Sequence, residues 1–246
     1  MPKRPTTCGC TSGLCPVSTQ FLPGRSEPPK AFPDGRENPE GNCVPIPVTF
    51  AAHSSLHAEG DDVAKRLDLI LVIDVEATCW DGDPPPGEEN EIIEIGVCPL
   101  EVASCRRRER RSILVRPERS RVSPFCTALT TLTQADVDAG VSFREACATL
   151  RSELKAQDRL WASYGDYDRR MFERQCQSRG VPLPFGPSHL NVKSLFAVTH
   201  ALSREVGMAE ALERAGLPLA GTHHRGVDDA HNIAGLLAHL LLAARR

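Results

Sequence analysis

The sequence predicts an α/β protein in which a mixed β-sheet is flanked by α-helices within one domain. Three observations lead there. LILVIDV (Leu69 to Val75) is a continuous apolar run rich in β-branched residues, as a central strand covered on both faces requires. Two further strand-like segments follow it with only loops between them, which predicts an antiparallel meander. Helical patterns then alternate with a short strand, which adds helices to the sheet. The chain has 246 residues, 41% of them hydrophobic and 25% charged, enough to bury a sizeable core. Its 29 Lys+Arg against 32 Asp+Glu give a net charge of −3, which excludes a histone-like coat of positive charge.

Residues 1–66 contain half of the 20 prolines and lack helical or strand periodicity, so they read as a disordered extension ahead of a domain over 67–246. Cys8, Cys10, Cys15 and Cys43 with His53 or His57 offer metal-ligating chemistry, but no paired C-x2-C spacing accompanies them. From Cys79 onward the cysteines sit singly in apolar segments, the pattern of reduced, buried thiols in a cytoplasmic protein. No apolar run approaches the roughly 20 residues that span a bilayer, and the N-terminus lacks the apolar core of a secretory signal.

After the first strand comes a loop with Pro84, Pro85 and Pro86, then strands over Ile92 to Val102 and Ser112 to Pro117. Thr133 is placed to cap a short helix through Val137. Ser142 and Glu145 have capping-box spacing ahead of a helix to about Leu154. A strand over Leu160 to Ser163 precedes a helix from Tyr167 to Ser178 that Asp166 is placed to cap. Helices near Met208 to Ala215 and from Val227 complete the chain.

Two acidic clusters carry the chemistry. Asp74 and Glu76 lie two apart on the first strand, so both carboxylates share one face about 7 Å apart. Such a pair is costly to desolvate without a cation, although solvated strand-end acids give the same pattern. In THHRGVDDAHNIA, histidines precede two aspartates at the start of an amphipathic helix. That suits a proton-transfer group beside a metal ligand, and equally a His-rich loop whose aspartates complement the helix dipole. Eight arginines between Arg106 and Arg121 could track a nucleic-acid backbone or form a solvated strand edge. Trp80 could stack on a base or pack beside its Pro-rich loop. Met171 and Phe172 have core spacing but neighbour the second acidic segment.

The segments IDVEATC, EIIEIGV, SPFCTALTTLTQADVD, YDRRMF and HHRGVDDAHNIA, in that order from Leu69 to Leu242, resemble the histidine-type DEDD 3′-to-5′ exonucleases. The branch that trims histone-mRNA 3′ ends and small RNAs is the most similar. The resemblance implies a ribonuclease H-like exonuclease fold and hydrolysis at the 3′ end of single-stranded RNA, releasing nucleoside 5′-monophosphates. Single-stranded DNA is an alternative substrate, and a catalytically weak nucleic-acid-binding regulator an alternative role. It implies two divalent cations, Mg²⁺ with Mn²⁺ as substitute, held by Asp74, Glu76, Asp168 and Asp229. His224 is implied as the general base, and Ala77 and Thr78 as contacts to the terminal sugar.

Two positions need a choice. The family has a small residue two after its histidine, which selects His224, followed by Gly226, over His223. Its second acid follows an aromatic residue and precedes Phe by four, which selects Asp168 over Asp166. One departure stands out: the family usually has Gly where this chain has Thr131, which implies a different backbone course there. The extension also lacks the basic module that some members carry upstream.

Overall fold

A computed structural model of the chain describes residues 66–246. The extension expected over 1–66, with its cysteine group, lies outside the described residues except for Arg66, which opens the first strand.

The sheet has five strands: β1 (Arg66–Ala77), β2 (Ile92–Glu101), β3 (Arg111–Leu114), β4 (Arg159–Ser163) and β5 (His189–Asn191), in the order β3-β2-β1-β4-β5. β1 pairs antiparallel with β2 and parallel with β4, so it is central, and the chain direction reverses beside it. The seven helices are α1 (Pro124–Thr130), α2 (Gln134–Asp138), α3 (Phe143–Ser152), α4 (Tyr167–Arg179), α5 (Val192–Thr199), α6 (Met208–Arg214) and α7 (Gly226–Ala244). The mixed sheet with flanking helices is the expected fold class.

Alternation along β1 divides the core. Leu71, Ile73 and Val75 pack with Phe143 and Leu150 of α3 and Phe172 of α4. Ile70 and Val72 face the opposite layer, with Phe196 of α5 and Ile233 and Leu237 of α7. The period of two therefore sends Asp74 and Glu76 toward the α7 layer. Each apolar side chain buried in these clusters contributes about 1.5 to 3 kcal/mol, so the central strand is held from both faces.

Both expected N-caps form, and each is a capping box. The Thr133 and Ser142 hydroxyls accept from the third helical N–H, and Asp136 and Glu145 reach back to the cap N–H. Asp166 is a correction: it occupies the N-cap of α4 but makes no capping hydrogen bond, and its carboxylate instead meets Arg169 at 3.3 Å. Thr131 adopts φ 64°, ψ 0° as the C-cap of α1, the left-handed conformation that glycine favours, here carried by a residue with a side chain.

Candidate active site

A cavity of about 290 Å³ opens at the C-terminal end of β1, beside the point where the sheet changes from antiparallel to parallel pairing. Asp74, Glu76, Asp168, His224 and Asp229 all line it, with His223, Tyr164, Tyr167 and Lys193. Three segments meet there: β1 supplies the first two acids, the first turn of α4 supplies Asp168, and the loop into α7 with that helix's first turn supplies His224 and Asp229. Carboxylate oxygens of Asp74, Glu76 and Asp229 lie within 4.8 Å of one another. Asp168 is tied in from the side, its Oδ1 accepting the Val75 N–H at 2.9 Å.

Close backbone approach brings α7 to the acids. A Cβ on Gly96 of β2 would collide with the carbonyl of Gly226, and a Cβ on Gly226 would lie 3.1 Å from the Asp74 carbonyl oxygen. Asp229, one turn into the helix, is thereby pressed against β1. Asp228 points elsewhere: it accepts the Thr222 N–H at 2.8 Å and pairs with Arg110 at 2.6 Å.

The two histidines stack with ring centroids 4.0 Å apart. His223 Nδ1 lies 3.0 Å from Asp229 Oδ2, while His224 donates its backbone N–H to the same oxygen at 2.9 Å. The His224 imidazole is not consumed by that bond, and its backbone adopts φ 64°. Burial, then the neighbouring His223, holds the His224 pKa below the usual histidine value, which keeps its ring neutral.

The electrostatics are those of acids crowded together. Burial is the leading cause that pushes Asp74 well above the carboxylate range, Glu76 up to about 8, Asp168 up to about 6, and Asp229 upward. Repulsion from the other carboxylates adds to it at Asp74 and Glu76. All the ligating atoms on offer are hard oxygens, except for the histidine nitrogens, a donor set that fits Mg²⁺ or Mn²⁺. These four acids and His224 would hold such cations and the reacting water.

Other expectations fare differently. Ala77 and Thr78 are buried and do not line the cavity; the Thr78 N–H donates to the Glu91 carbonyl at 2.9 Å, and its hydroxyl joins Glu89 and Glu91. These bonds tie Thr78 to the loop that leads into β2. Met171 and Phe172 belong to the core, and Trp80 does not line the cavity. Six of the eight arginines are engaged: Arg106 and Arg108 with Glu101, Arg107 with the His231 carbonyl, Arg110 with Asp228, Arg111 with Glu153, and Arg119 with Glu89. They fasten the strand edge to its neighbours.

One residue escaped the sequence reading. Glu94 of β2, with no exposed surface, stands opposite Glu76 in register and accepts hydrogen bonds from Arg225 and from the Gly226 N–H. A charged residue inside the apolar run IIEIGV was the signal.

Comparison with known proteins places this geometry. Residues 71–237 match the family model for exonucleases, RNase_T. The chain is 26% identical to the 3′-5′ exonuclease Snipper of Drosophila melanogaster, over 86% of this chain and 84% of that protein. It is 31% identical to human 3′-5′ exoribonuclease 1 over 71% of this chain, but spans only 52% of that protein's length. The crystal structure of the nuclease domain of 3′hExo, a DEDDh family member bound to rAMP, superposes with a TM-score of 0.63 at 28% identity, covering 72% of this chain and 92% of that one. With the family model spanning the sheet, the cavity and most of α7, the chain belongs to the exonuclease family, hydrolytic nucleases built on the ribonuclease H-like fold.

Proposed function

We propose that the chain is a metal-dependent 3′-to-5′ exoribonuclease that shortens single-stranded RNA from its 3′ end and releases nucleoside 5′-monophosphates. The observation that carries this reading is the convergence of Asp74, Glu76 and Asp229 oxygens within 4.8 Å, with Asp168 and His224 on the same cavity wall. The names of the human relative and of the rAMP-bound nuclease domain support RNA over DNA.

Two divalent cations bound there would stabilise charge on the attacking and leaving oxygens of the phosphodiester. The protein's part follows from its residues. Asp74, Glu76, Asp168 and Asp229 hold a local charge of −4 when ionised, which two divalent cations neutralise. His224, neutral and unengaged at its ring, takes a proton from the attacking water. Lys193, on the cavity wall, supplies positive charge to an anionic strand.

Among the described residues no helix is long and apolar enough to cross a membrane, and the six cysteines are free, most of them buried. Unpaired thiols support a reducing compartment such as the cytoplasm. The test is degradation of matched RNA and DNA oligonucleotides labelled at the 5′ end, in Mg²⁺, in Mn²⁺ and with chelator. A ladder of RNA products shortened from the 3′ end, abolished by chelator, is expected. Equal trimming of DNA would remove the RNA assignment, and chelator-resistant trimming would remove the metal.

A further inference from the structure

We propose that Arg225 is a positioning residue for the proton-accepting loop, joining buried Glu94 to Thr131 and so fixing the turn that presents His224. The inference rests on reading His224 as the general base. Arg225 sits between His224, with φ 64°, and Gly226, the first residue of α7. The left-handed conformation is strained for histidine, so it persists only where its surroundings hold it.

The holding groups are visible. Arg225 Nε donates to Glu94 Oε2 at 3.2 Å, its Nη2 to Oε1 at 3.3 Å, and its Nη1 reaches the Thr131 hydroxyl at 3.4 Å. Glu94 completes its hydrogen bonding with the Gly226 N–H at 3.0 Å and the Ser112 hydroxyl at 2.5 Å. A fully buried carboxylate is an expensive way to join two elements, since a well-packed apolar pair commonly does as well or better. Its use here is directional: a planar guanidinium with donors along its fork sets the angle of the main chain beside His224. The far partner matters too. Thr131 ends α1, and α1 lies against the chain just after Glu76, where Ser123 Oγ donates to the Cys79 carbonyl at 2.6 Å and Cys126 Sγ to the Ala77 carbonyl at 3.5 Å. Arg225 therefore ties the loop that carries His224 to β2 and to the end of α1, and it acts on the reaction only through His224.

Steady-state trimming of a 5′-labelled RNA oligonucleotide by the full-length protein tests this. Arg225→Gln should lower kcat by about 10-fold or more with KM within about 2-fold, the signature of a misplaced group rather than lost binding. Arg225→Lys should recover part of the loss, since an ammonium can pair with Glu94 but cannot span to Thr131. In a His224→Ala background the same Arg225→Gln change should have no further effect on kcat, because the group it positions is gone. Imidazole proton resonances of His224 should shift in Arg225→Gln and not in Arg111→Gln, a readout that needs no turnover. If Arg225→Gln alone fails to fold, the Glu94→Gln/Arg225→Gln pair removes both charges together and should show the same dependence on His224. Wild-type kcat in Arg225→Gln, unmoved His224 resonances, or a full further loss in the His224→Ala background would each overturn the proposal. An inactive wild-type protein would count against the exoribonuclease reading instead.

Discussion

The carboxylate of Asp168 accepts the backbone N–H of Val75, the residue between Asp74 and Glu76, at 2.9 Å. This bond ties α4 to the strand between the two acids, and under the proposed function the other carboxylate oxygen would be left for a cation. Asp168→Asn keeps a carbonyl oxygen for Val75 but gives up the anionic charge. It should abolish trimming with little change in the urea midpoint. Asp168→Ala leaves that buried N–H unsatisfied and should cost a further 1 to 3 kcal/mol, roughly the penalty for such a group. Equal midpoints for the two variants would show that the Val75 bond does not support the site.

The crowded acids make metal-free stability depend on pH. Glu76, pushed up to about 8 by burial and by its acidic neighbours, binds a proton more tightly when the chain is folded than when it is unfolded. A raised pKa contributes stability that is complete below the unfolded value near 4.5 and is lost as pH rises through 8, at a slope of at most about 1.4 kcal/mol per unit. In chelator, the melting temperature should fall from pH 5 to pH 8, and Mg²⁺ should restore most of it at pH 8. His189, His224 and His231, all held low by burial, push the other way over part of that window. The wild-type curve minus that of Glu76→Gln isolates the carboxylate, and a flat difference would refute the argument.

The ion pairs of the arginine run predict an absence of effect. Arg106 and Arg108 both meet Glu101, at 2.9 Å each, on an exposed edge of the sheet. Replacing both with Gln should leave RNA affinity within about 2-fold and the salt dependence of binding unchanged, since a residue that neutralises a phosphate contributes about one unit of slope. A fall in that slope by two would restore the run as an RNA track.

How much of this was legible follows from which signals repeat. Period-two alternation placed Asp74 and Glu76 on one face, and the capping boxes at Thr133 and Ser142 marked their helices because each is a local hydrogen-bond pattern. Local pattern failed where an element is short or held by distant contacts. β5 has three residues and exists by pairing with β4, and α5, capped by Asn191, was overlooked after it. The seven residues of α1 carry a Ser123 cap and Pro124 at the first position, a usable signal, yet the sequence reading assigns no helix there. Five residues named from the sequence meet in one cavity. What joins them was not legible, because the Gly96 to Gly226 approach and the Glu94 to Arg225 pair connect positions about 130 residues apart, which no periodicity reports.

The adjacent histidines give the sharpest test of the site. Both rings reach the cavity, and His223 is the one whose ring meets Asp229, so proximity alone would favour it. The choice of His224 rests on register instead: Gly226, two residues after it, makes the close approach to β2, while His223 spends its Nδ1 on Asp229. His224 also holds Asp229 through its backbone N–H, an interaction that survives truncation of the side chain. His224→Ala should therefore keep the acid in place and still lower kcat by roughly 100-fold or more, the scale of general-base loss. His223→Ala should stay active. The pH–rate profile separates them again. An acidic limb below the ordinary histidine value of about 6.5 should mark protonation of His224, whose pKa is held down first by burial and then by His223. That limb should disappear in His224→Ala and persist in His223→Ala. A dead His223→Ala beside an active His224→Ala would reassign the base to His223.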